Sequence, residues 1–363
     1  MRIAFDASSM RGEKTGIGVY TENLIQALHR FAPDIEMVEL DDGATAHQRT
    51  DRRMVREQIG LPRLARQSHA DVLHLTGFAA PIRAPMPVIL TVMDLIGVLF
   101  AANFPPVARF YWSRYLPFTL RFPAQLITLS EHTRQDIVRL TKIPAARVRV
   151  ISPGRDERFH PIEDARVLNQ ARAEIGLPAQ FILFVGTLEP RKGVDTLIAA
   201  FAQVANVVDE DLVIVGKRGW YWQNFFDLVR ENGLETRVRF LEYVADEKMP
   251  LVYNLARAFV FPSRYEGFGL PPLEAMACGT PVVSSNAASL PEVVGSAGLL
   301  LSPGDVDGLA RAIVQVVNDS NLRIELRERG LQQAHKFSWA RAAHDILAVY
   351  HQVWNQQAHA NHL

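Results

Sequence analysis

Glu266-Gly-Phe-Gly-Leu-Pro-Pro-Leu-Glu274 is the stretch on which the reading of this sequence turns. It follows an apolar run, Ala258-Phe-Val-Phe-Pro262, that predicts a buried strand. It leads into Pro271-Pro-Leu-Glu-Ala-Met-Ala277, a predicted helix with proline in its first turn and Gly279 just past its end. A second apolar run, Pro281-Val-Val-Ser284, follows at once. Two carboxylates therefore flank a glycine-containing strand-to-helix loop inside a βαβ unit. In open α/β sheets, ligands sit at that edge, beyond the carboxyl ends of the strands. Amides at a helix N-terminus favour phosphate. Acids beside an anion site make chemical sense if they grip hydroxyl groups, and a sugar nucleotide offers both a pyrophosphate and hydroxyls.

The wider composition sets bounds on this reading. The chain has 363 residues, 48% of them hydrophobic, and a formal net charge of zero. That length is comfortable for two domains. A neutral balance gives no global attraction to nucleic acid or to anionic lipid. Met1-Arg-Ile-Ala-Phe-Asp6 reads as a strand and not as a signal peptide, and the apolar region from Pro85 to Phe104 is broken by Asp94 and by prolines. The sole cysteine, Cys278, excludes an intrachain disulfide and reads as a small buried apolar residue. The expectation is a soluble cytoplasmic protein.

Outward from the deciding loop, apolar runs alternate with helical patterns in both halves of the chain. Ile3–Phe5, Asp71–Leu75, Val88–Val92, Leu126–Leu129 and Val148–Ile151 predict strands in the first half. The first two are separated by a helix with Ile17, Tyr20, Leu24, Leu28 and Phe31 on one face. Phe181–Val185, Leu212–Val215, Val238–Leu241, Phe259–Phe261, Pro281–Val283 and Leu299–Leu301 predict strands in the second. Such alternation means parallel strands with crossover helices. The expected fold class is α/β, two doubly wound Rossmann-like domains facing each other across a cleft. Their expected extents are 1–165 and 170–340, with a linker between Ser152 and Leu177 marked by Pro153-Gly154 and Pro161. A terminal helix over 341–363 could pack on either domain.

Several constellations carry chemistry. Arg191 and Lys192, in Thr187-Leu-Glu-Pro-Arg-Lys-Gly193, sit where a strand ends and a helix begins. Cations there oppose the helix dipole, so their presence suits a bound pyrophosphate better than a solvated surface pair. Gly16-Ile-Gly18 opens the first helix, but Thr21 stands where a dinucleotide fingerprint needs its third glycine. Asp209-Glu-Asp211 and Asp305-Val-Asp307 read as solvated or capping acids, and the eleven histidines show no metal-ligand spacing. Arginines crowd Arg49–Arg66, and Arg109-Phe-Tyr-Trp-Ser-Arg-Tyr115 with Phe118, Arg121 and Phe122 mixes bases with aromatics. Either could touch a membrane surface, and either could be an ordinary helix face.

Taken together, Gly16-Ile-Gly-Val-Tyr20, Gly186-Thr-Leu-Glu-Pro-Arg-Lys-Gly193, Pro262-Ser-Arg-Tyr-Glu-Gly-Phe-Gly-Leu-Pro271, the Glu266/Glu274 pair and Ser289-Leu-Pro-Glu-Val-Val-Gly295 resemble glycosyltransferase family four (group 1), enzymes of GT-B fold. The resemblance runs over nearly the whole chain and points towards bacterial mannosyl- and rhamnosyltransferases of surface polysaccharide synthesis. It implies that Glu266 binds donor-sugar hydroxyls near the reacting carbon and that Glu274 holds the ribose. Arg191 and Lys192 would neutralise the diphosphate, and the amides of Phe268, Gly269 and Leu270 would contact phosphate and sugar. Gly16 and Gly18 would close over the diphosphate, Tyr243-Val244 would meet the base, and the terminal helix would cross back to the first domain. One departure stands out. Met93 occupies the place of a histidine that usually precedes Asp94, and methionine can neither donate a hydrogen bond nor shuttle a proton. Asp94 is then the expected first-domain polar contact, completing a candidate catalytic set of Glu266, Lys192, Arg191 and Asp94.

The resemblance implies a retaining, metal-independent hexosyltransferase using a nucleotide-diphosphate sugar, GDP-mannose foremost, and a glycan or lipid-linked acceptor. No cofactor and no nucleic-acid partner are expected, and peripheral contact at the inner membrane face is an open reading. Two rivals are a nicotinamide dehydrogenase, weakened by the missing third glycine, and a non-catalytic sugar-nucleotide-binding subunit of a glycan-assembly complex, which Met93 would suit.

Overall fold

A computed structural model describes residues 1–11, 16–45, 49–77, 79–219 and 221–360. The chain divides into two compact units, Met1–Gly154 with Ser338–Leu363, and Arg155–Phe337. Each is built on a six-stranded parallel sheet.

In the first unit, β1 (Arg2–Asp6), β2 (Glu36–Leu40), β3 (Val72–Gly77), β4 (Val88–Val92), β5 (Gln125–Thr128) and β6 (Val148–Val150) lie in the order β2-β1-β3-β4-β5-β6. In the second, β7 (Phe181–Val185), β8 (Asp211–Val215), β9 (Val238–Leu241), β10 (Ala258–Phe261), β11 (Val282–Ser285) and β12 (Gly298–Leu301) lie in the order β12-β11-β10-β7-β8-β9. Helices cover both faces of such sheets, so central strands are apolar throughout instead of alternating. All residues of β4, β10 and β11 are buried accordingly.

Both sheets reverse their winding once. The chain lays down β1 and β2 in one direction, then returns to place β3 on the other side of β1. It likewise lays down β7, β8 and β9, then returns to place β10 on the other side of β7. Loops leaving the two strands at such a point turn to opposite faces and leave a crevice at the carboxyl edge.

Three expectations need correction. β2 escapes apolar-run reasoning because it is an edge strand carrying Glu36 and Glu39. Phe31 is 43% exposed, so the buried face of helix Gly16–Phe31 runs through Tyr20, Leu24 and Leu28 and widens to Thr21, Ile25 and Ala27. The proline-marked segment from Ser152 to Leu177 contains a helix, Ala165–Ile175, capped by Asp164 and closed by Gly176 at φ 75°. Its surface is polar and only Ala171 is buried, so it gives a weak periodic signal. The two acid triplets are structural: Asp305 caps its helix by accepting from Gly308 N at 2.8 Å, and Asp211 pairs with Arg237 at 3.0 Å.

The last helix, Trp339–Ala360, packs on helix Gly16–Phe31 within the first unit. Its Tyr350 hydroxyl lies 2.6 Å from His74 Nδ1, and Thr91 Oγ1 lies 2.8 Å from His74 Nε2. His74 is wholly buried in β3, and burial pushes its pKa down to about 3, so it is a neutral core group. Gly154 admits the backbone of this helix's first turn, since a Cβ there would lie 2.1 Å from Trp339 N. No helix among the described residues is long and apolar enough to cross a membrane.

Candidate active site

The second unit's winding reversal lies between β7 and β10, and the loops that leave those strands carry the deciding motifs. β7 runs into Gly186–Gly193, ending in a tight turn over Pro190–Lys192. β10 runs into Pro262–Gly269. Gly193 has φ 71°, and a Cβ there would lie 2.2 Å from Pro262 O. That contact lets the loops interlock. Arg264 N donates to Arg191 O at 2.7 Å, and Ser263 Oγ lies 3.1 Å from the same carbonyl.

Glu266 is the hub of this junction. Its Oε1 accepts from Lys192 Nζ at 2.7 Å and from Ser263 Oγ at 2.7 Å, with Arg191 Nη1 at 3.4 Å. Arg191 also donates through Nε to Glu189 at 2.9 Å. Lys192 and Glu266 are each 8% exposed, and Lys192 Nζ sits 5.1 Å above the Phe261 ring. Burial alone would raise the pKa of Glu266, but Lys192, Arg191 and the two hydrogen bonds hold it below the usual carboxylate range. Burial pushes Lys192 down, and Arg191 adds to that while Glu266 opposes it. The second cation thus favours the charged acid and disfavours the charged amine. The arrangement fixes two cations at the sheet edge, each held on a carboxylate, Lys192 on Glu266 and Arg191 on Glu189.

The helix Leu270–Ala277 begins directly beyond. Gly269 stands at φ 113°, where a Cβ would lie 2.8 Å from Leu290 Cδ2. Pro271 and Pro272 carry no N–H, so Phe268, Gly269 and Leu270 supply the amide donors of this turn. Ser289 Oγ ties the loop down, its single O–H shared between Phe268 O at 2.7 Å and Glu266 O at 2.9 Å.

Glu274 lies farther along that helix and is half-buried. Tyr253 donates its hydroxyl to Glu274 Oε2 at 2.8 Å. Burial pushes Glu274 up to about 7, against the Tyr253 hydrogen bond; Asp156 and Asp246 add to the rise and Arg158 opposes it. A carboxyl poised there can accept from or donate to a hydroxyl. Val244 lies in the loop after β9, also at the carboxyl edge, and is half-buried beside the exposed Tyr243.

Eight of the sequence-predicted positions therefore share one edge of one sheet, and Arg191, Lys192 and Glu266 are in direct contact. Gly16, Gly18 and Asp94 belong to the first unit. Gly16 starts helix Gly16–Phe31 with open space where a Cβ would point, and Gly18 is buried. Asp94 follows β4 and accepts from Ile96 N at 2.9 Å, and Met93 beside it is buried.

The first unit's own reversal holds a polar pocket that sequence reasoning missed. Asp6, Ser8, Arg53, Arg56, Glu57 and Thr76 line it. Arg56, within the arginine-rich stretch, grips both Asp6 oxygens at 2.9 and 2.8 Å and Asp42 at 2.8 Å. Glu57 is buried and accepts from Tyr111 OH at 2.7 Å, and its Oε2 finds no hydrogen-bond partner among the described residues. Burial pushes its pKa up to about 7. Residues 56 and 57 stand in a single π-helical turn, Arg56–Gly60, a local widening that linear spacing does not reveal. Ser263 and Ser289, which lie in quoted motifs, and Tyr253, which lies in none, seat the two acids of the second unit, and only the loop contacts show these roles. Among the described residues, no group of three or more His, Cys, Asp or Glu side chains is arranged to hold a metal ion.

Comparison with known proteins identifies the family. Residues 169–336 match the family model described as glycosyl transferases group 1, and residues 14–159 match that of glycosyltransferase family 4. The O-antigen chain mannosyltransferase B of Escherichia coli is 32% identical over 381 residues, covering 96% of this chain and 99% of that protein. The serotype-specific mannosyltransferase WbdA of Escherichia coli is 32% identical over 268 residues, covering 72% of this chain but 33% of WbdA, so the likeness spans about a third of that protein. Among solved structures, sucrose-phosphate synthase from Thermosynechococcus elongatus shares the fold, with a TM-score of 0.78 at 23% identity over 98% of this chain and 99% of that one.

Proposed function

The chain belongs to this glycosyltransferase family, and from that premise we propose that it moves mannose from GDP-mannose to a growing glycan or lipid-linked acceptor, with retained anomeric configuration. That it is a GT-B enzyme transferring a sugar from a nucleotide donor follows from the family; mannose is supported by the names of the two relatives above. Family membership also answers the binding-subunit and dehydrogenase rivals.

One observation carries the proposed chemistry: Lys192 and Arg191 converge on Glu266 at the winding reversal, beside the amide turn of Phe268–Leu270. The anomeric carbon breaks its bond to the diphosphate, and the acceptor oxygen bonds to that carbon from the same face. The acceptor's proton passes to the departing phosphate. Arg191, Lys192 and the amides of Phe268, Gly269 and Leu270 offer preorganised positive potential where negative charge develops, commonly the largest catalytic term. With these cations in place, no metal is required. Glu266 reads donor-sugar hydroxyls, Glu274 reads the ribose, and Val244 meets the base. Gly16 and Gly18 let backbone approach the diphosphate, and Asp94 supplies the first-unit polar contact beside Met93. The reaction takes place in the cytoplasm, where nucleotide sugars are made.

The test is a donor panel of radiolabelled GDP-mannose, UDP-glucose and dTDP-rhamnose, each with mannose-terminated acceptors. The expected product carries label from GDP-mannose alone, in an α-linkage by NMR. Transfer from UDP-glucose or dTDP-rhamnose in preference would sink the mannose assignment, and a β-linkage would sink retention.

A further inference from the structure

We propose that the polar pocket at the first unit's winding reversal selects an uncharged pyranose over a phosphorylated one, and that Glu57 is the residue that reads it. The hollow holds about 490 Å³ out to its open mouth, within the range of small-molecule sites. It is lined by a carboxyl with one oxygen left over. Glu57 is 5% exposed, its Oε1 is taken by the Tyr111 hydroxyl at 2.7 Å, and its Oε2 meets no donor among the described residues. A buried polar atom without a partner costs stability, so one kept in a pocket points to a ligand that completes it. The neighbours fix the chemistry of that ligand. Ser8, just after β1, and Thr76, in β3, bring hydroxyls to the pocket. Thr76 Oγ1 lies 2.6 Å from Thr21 Oγ1, which holds this wall against the helix that opens at Gly16. Leu61, Leu75 and Ala79 supply apolar surface among these polar groups. A sugar ring has the matching make-up, with hydroxyls around its edge and C–H groups on its faces.

Charge decides against an anion. Arg56 is engaged by two acids, through both Asp6 oxygens at 2.9 and 2.8 Å and through Asp42 at 2.8 Å. Arg53 is the other lining cation, and its charge acts on Glu57. Among the described lining residues and their partners, two guanidiniums thus stand against three carboxyls, Asp6, Asp42 and Glu57. A phosphate or uronate entering here meets no surplus of positive charge, whereas a neutral hydroxyl meets hydrogen-bonding groups on several sides. Burial also pushes the Glu57 pKa up to about 7. Protonated, the carboxyl donates to a sugar oxygen; ionised, it accepts from a sugar hydroxyl. The donor's diphosphate and nucleoside have proposed contacts elsewhere, so this sugar is the end of the acceptor. In that one respect the inference rests on the transferase reading above.

The test is saturation-transfer NMR on the full chain without donor, using mannotriose and mannotriose bearing a terminal phosphate. Glu57→Leu should weaken mannotriose binding by roughly tenfold or more, because it removes the group that the sugar hydroxyl meets. Glu57→Gln keeps a partner for Tyr111 and a group that both donates and accepts, so it should bind within a few-fold of wild type. The phosphorylated glycan should give the same response with wild type and with Glu57→Leu, since it does not enter the pocket. Asp42→Asn keeps an oxygen for Arg56 but removes one acid, so it should strengthen binding of the phosphorylated glycan by roughly fivefold. That gain is one that a merely structural role would not produce, and it is read even where Glu57→Leu does not fold. Failure of the wild-type chain to bind mannotriose overturns the proposal. So does mannotriose binding that folded Glu57→Leu leaves unaltered, or a phosphorylated glycan whose binding depends on Glu57 as strongly as the neutral one. No gain in Asp42→Asn overturns the charge argument and the selectivity with it. Because no donor is present, failure here leaves the GDP-mannose assignment standing, and a different donor leaves this result standing.

Discussion

Lys192 Nζ and Ser263 Oγ both donate to Glu266 Oε1 at 2.7 Å, so one carboxylate oxygen links the loop after β7 to the loop after β10. The pair is nearly desolvated, and breaking such a pair from one side strands a charge. Glu266→Ala should therefore destabilise the fold by about 3 kcal/mol. The double variant Lys192→Met/Glu266→Leu should lose less than the sum of the two single losses, because no lone charge is left. Urea unfolding of the three variants checks this, and additive losses would mean that the pair is not coupled.

For catalysis the same residues behave differently. Lys192→Met and Arg191→Met each remove positive potential from the proposed leaving-group site, and each should lower kcat by roughly 100-fold or more with a smaller change in KM. The double variant of the pair should be inactive even where its stability is restored. A kcat within a few-fold of wild type in Lys192→Met would remove the lysine from the mechanism.

Gly16 and Gly193 are both loop-to-helix glycines, but their surroundings differ. A Cβ at Gly193 would strike Pro262 O, and its φ of 71° disfavours any L side chain, so Gly193→Ala should lower Tm and activity together. A Cβ at Gly16 meets nothing within 4 Å. Gly16→Ala should therefore leave Tm unchanged while lowering kcat/KM, if the proposed approach of this backbone to the diphosphate holds. Unchanged kinetics in Gly16→Ala would take that glycine out of the donor site.

Glu57 and Glu274 both titrate near 7 in the folded chain, well above an ordinary glutamate near 4.3. Between those values the folded state holds more protons than the unfolded state, so raising the pH costs stability. The ligand-free chain should lose stability from about pH 5 to 7, by up to roughly 1.4 kcal/mol per pH unit for each group, and level off above. Glu57→Gln and Glu274→Gln should each flatten this slope in urea titrations, and a slope that neither variant alters would assign it elsewhere.

The two halves and their parallel strands were legible because central strands of a doubly wound sheet are apolar from end to end, as Phe181–Val185 and Ala258–Phe261 are. The Arg191-Lys192 pair and the EGFGLPPLE loop were legible because one short motif carries each. Edge strand Glu36–Leu40 was not, since water on one side admits glutamate. The seating of Glu266 by Ser263, and of Glu274 by Tyr253, depends on side-chain geometry: Ser263 stands in a quoted motif that does not give its partner, and Tyr253 stands in none. Arg56 was hidden for a related reason. Among neighbouring arginines it looks like solvated surface, and only the fold brings it to Asp6 and Asp42.

The bond between His74 and Tyr350 joins positions 276 residues apart, and the whole of the second unit lies between them. During synthesis, the unit that leaves the ribosome first is therefore completed last. At about 5–20 residues per second, β3 waits roughly 15–55 s for the helix that covers His74. Over that interval an intact Arg155–Phe337 unit can already exist beside an unfinished partner, whose unshielded core is then the stage of assembly most exposed to aggregation and most open to chaperones.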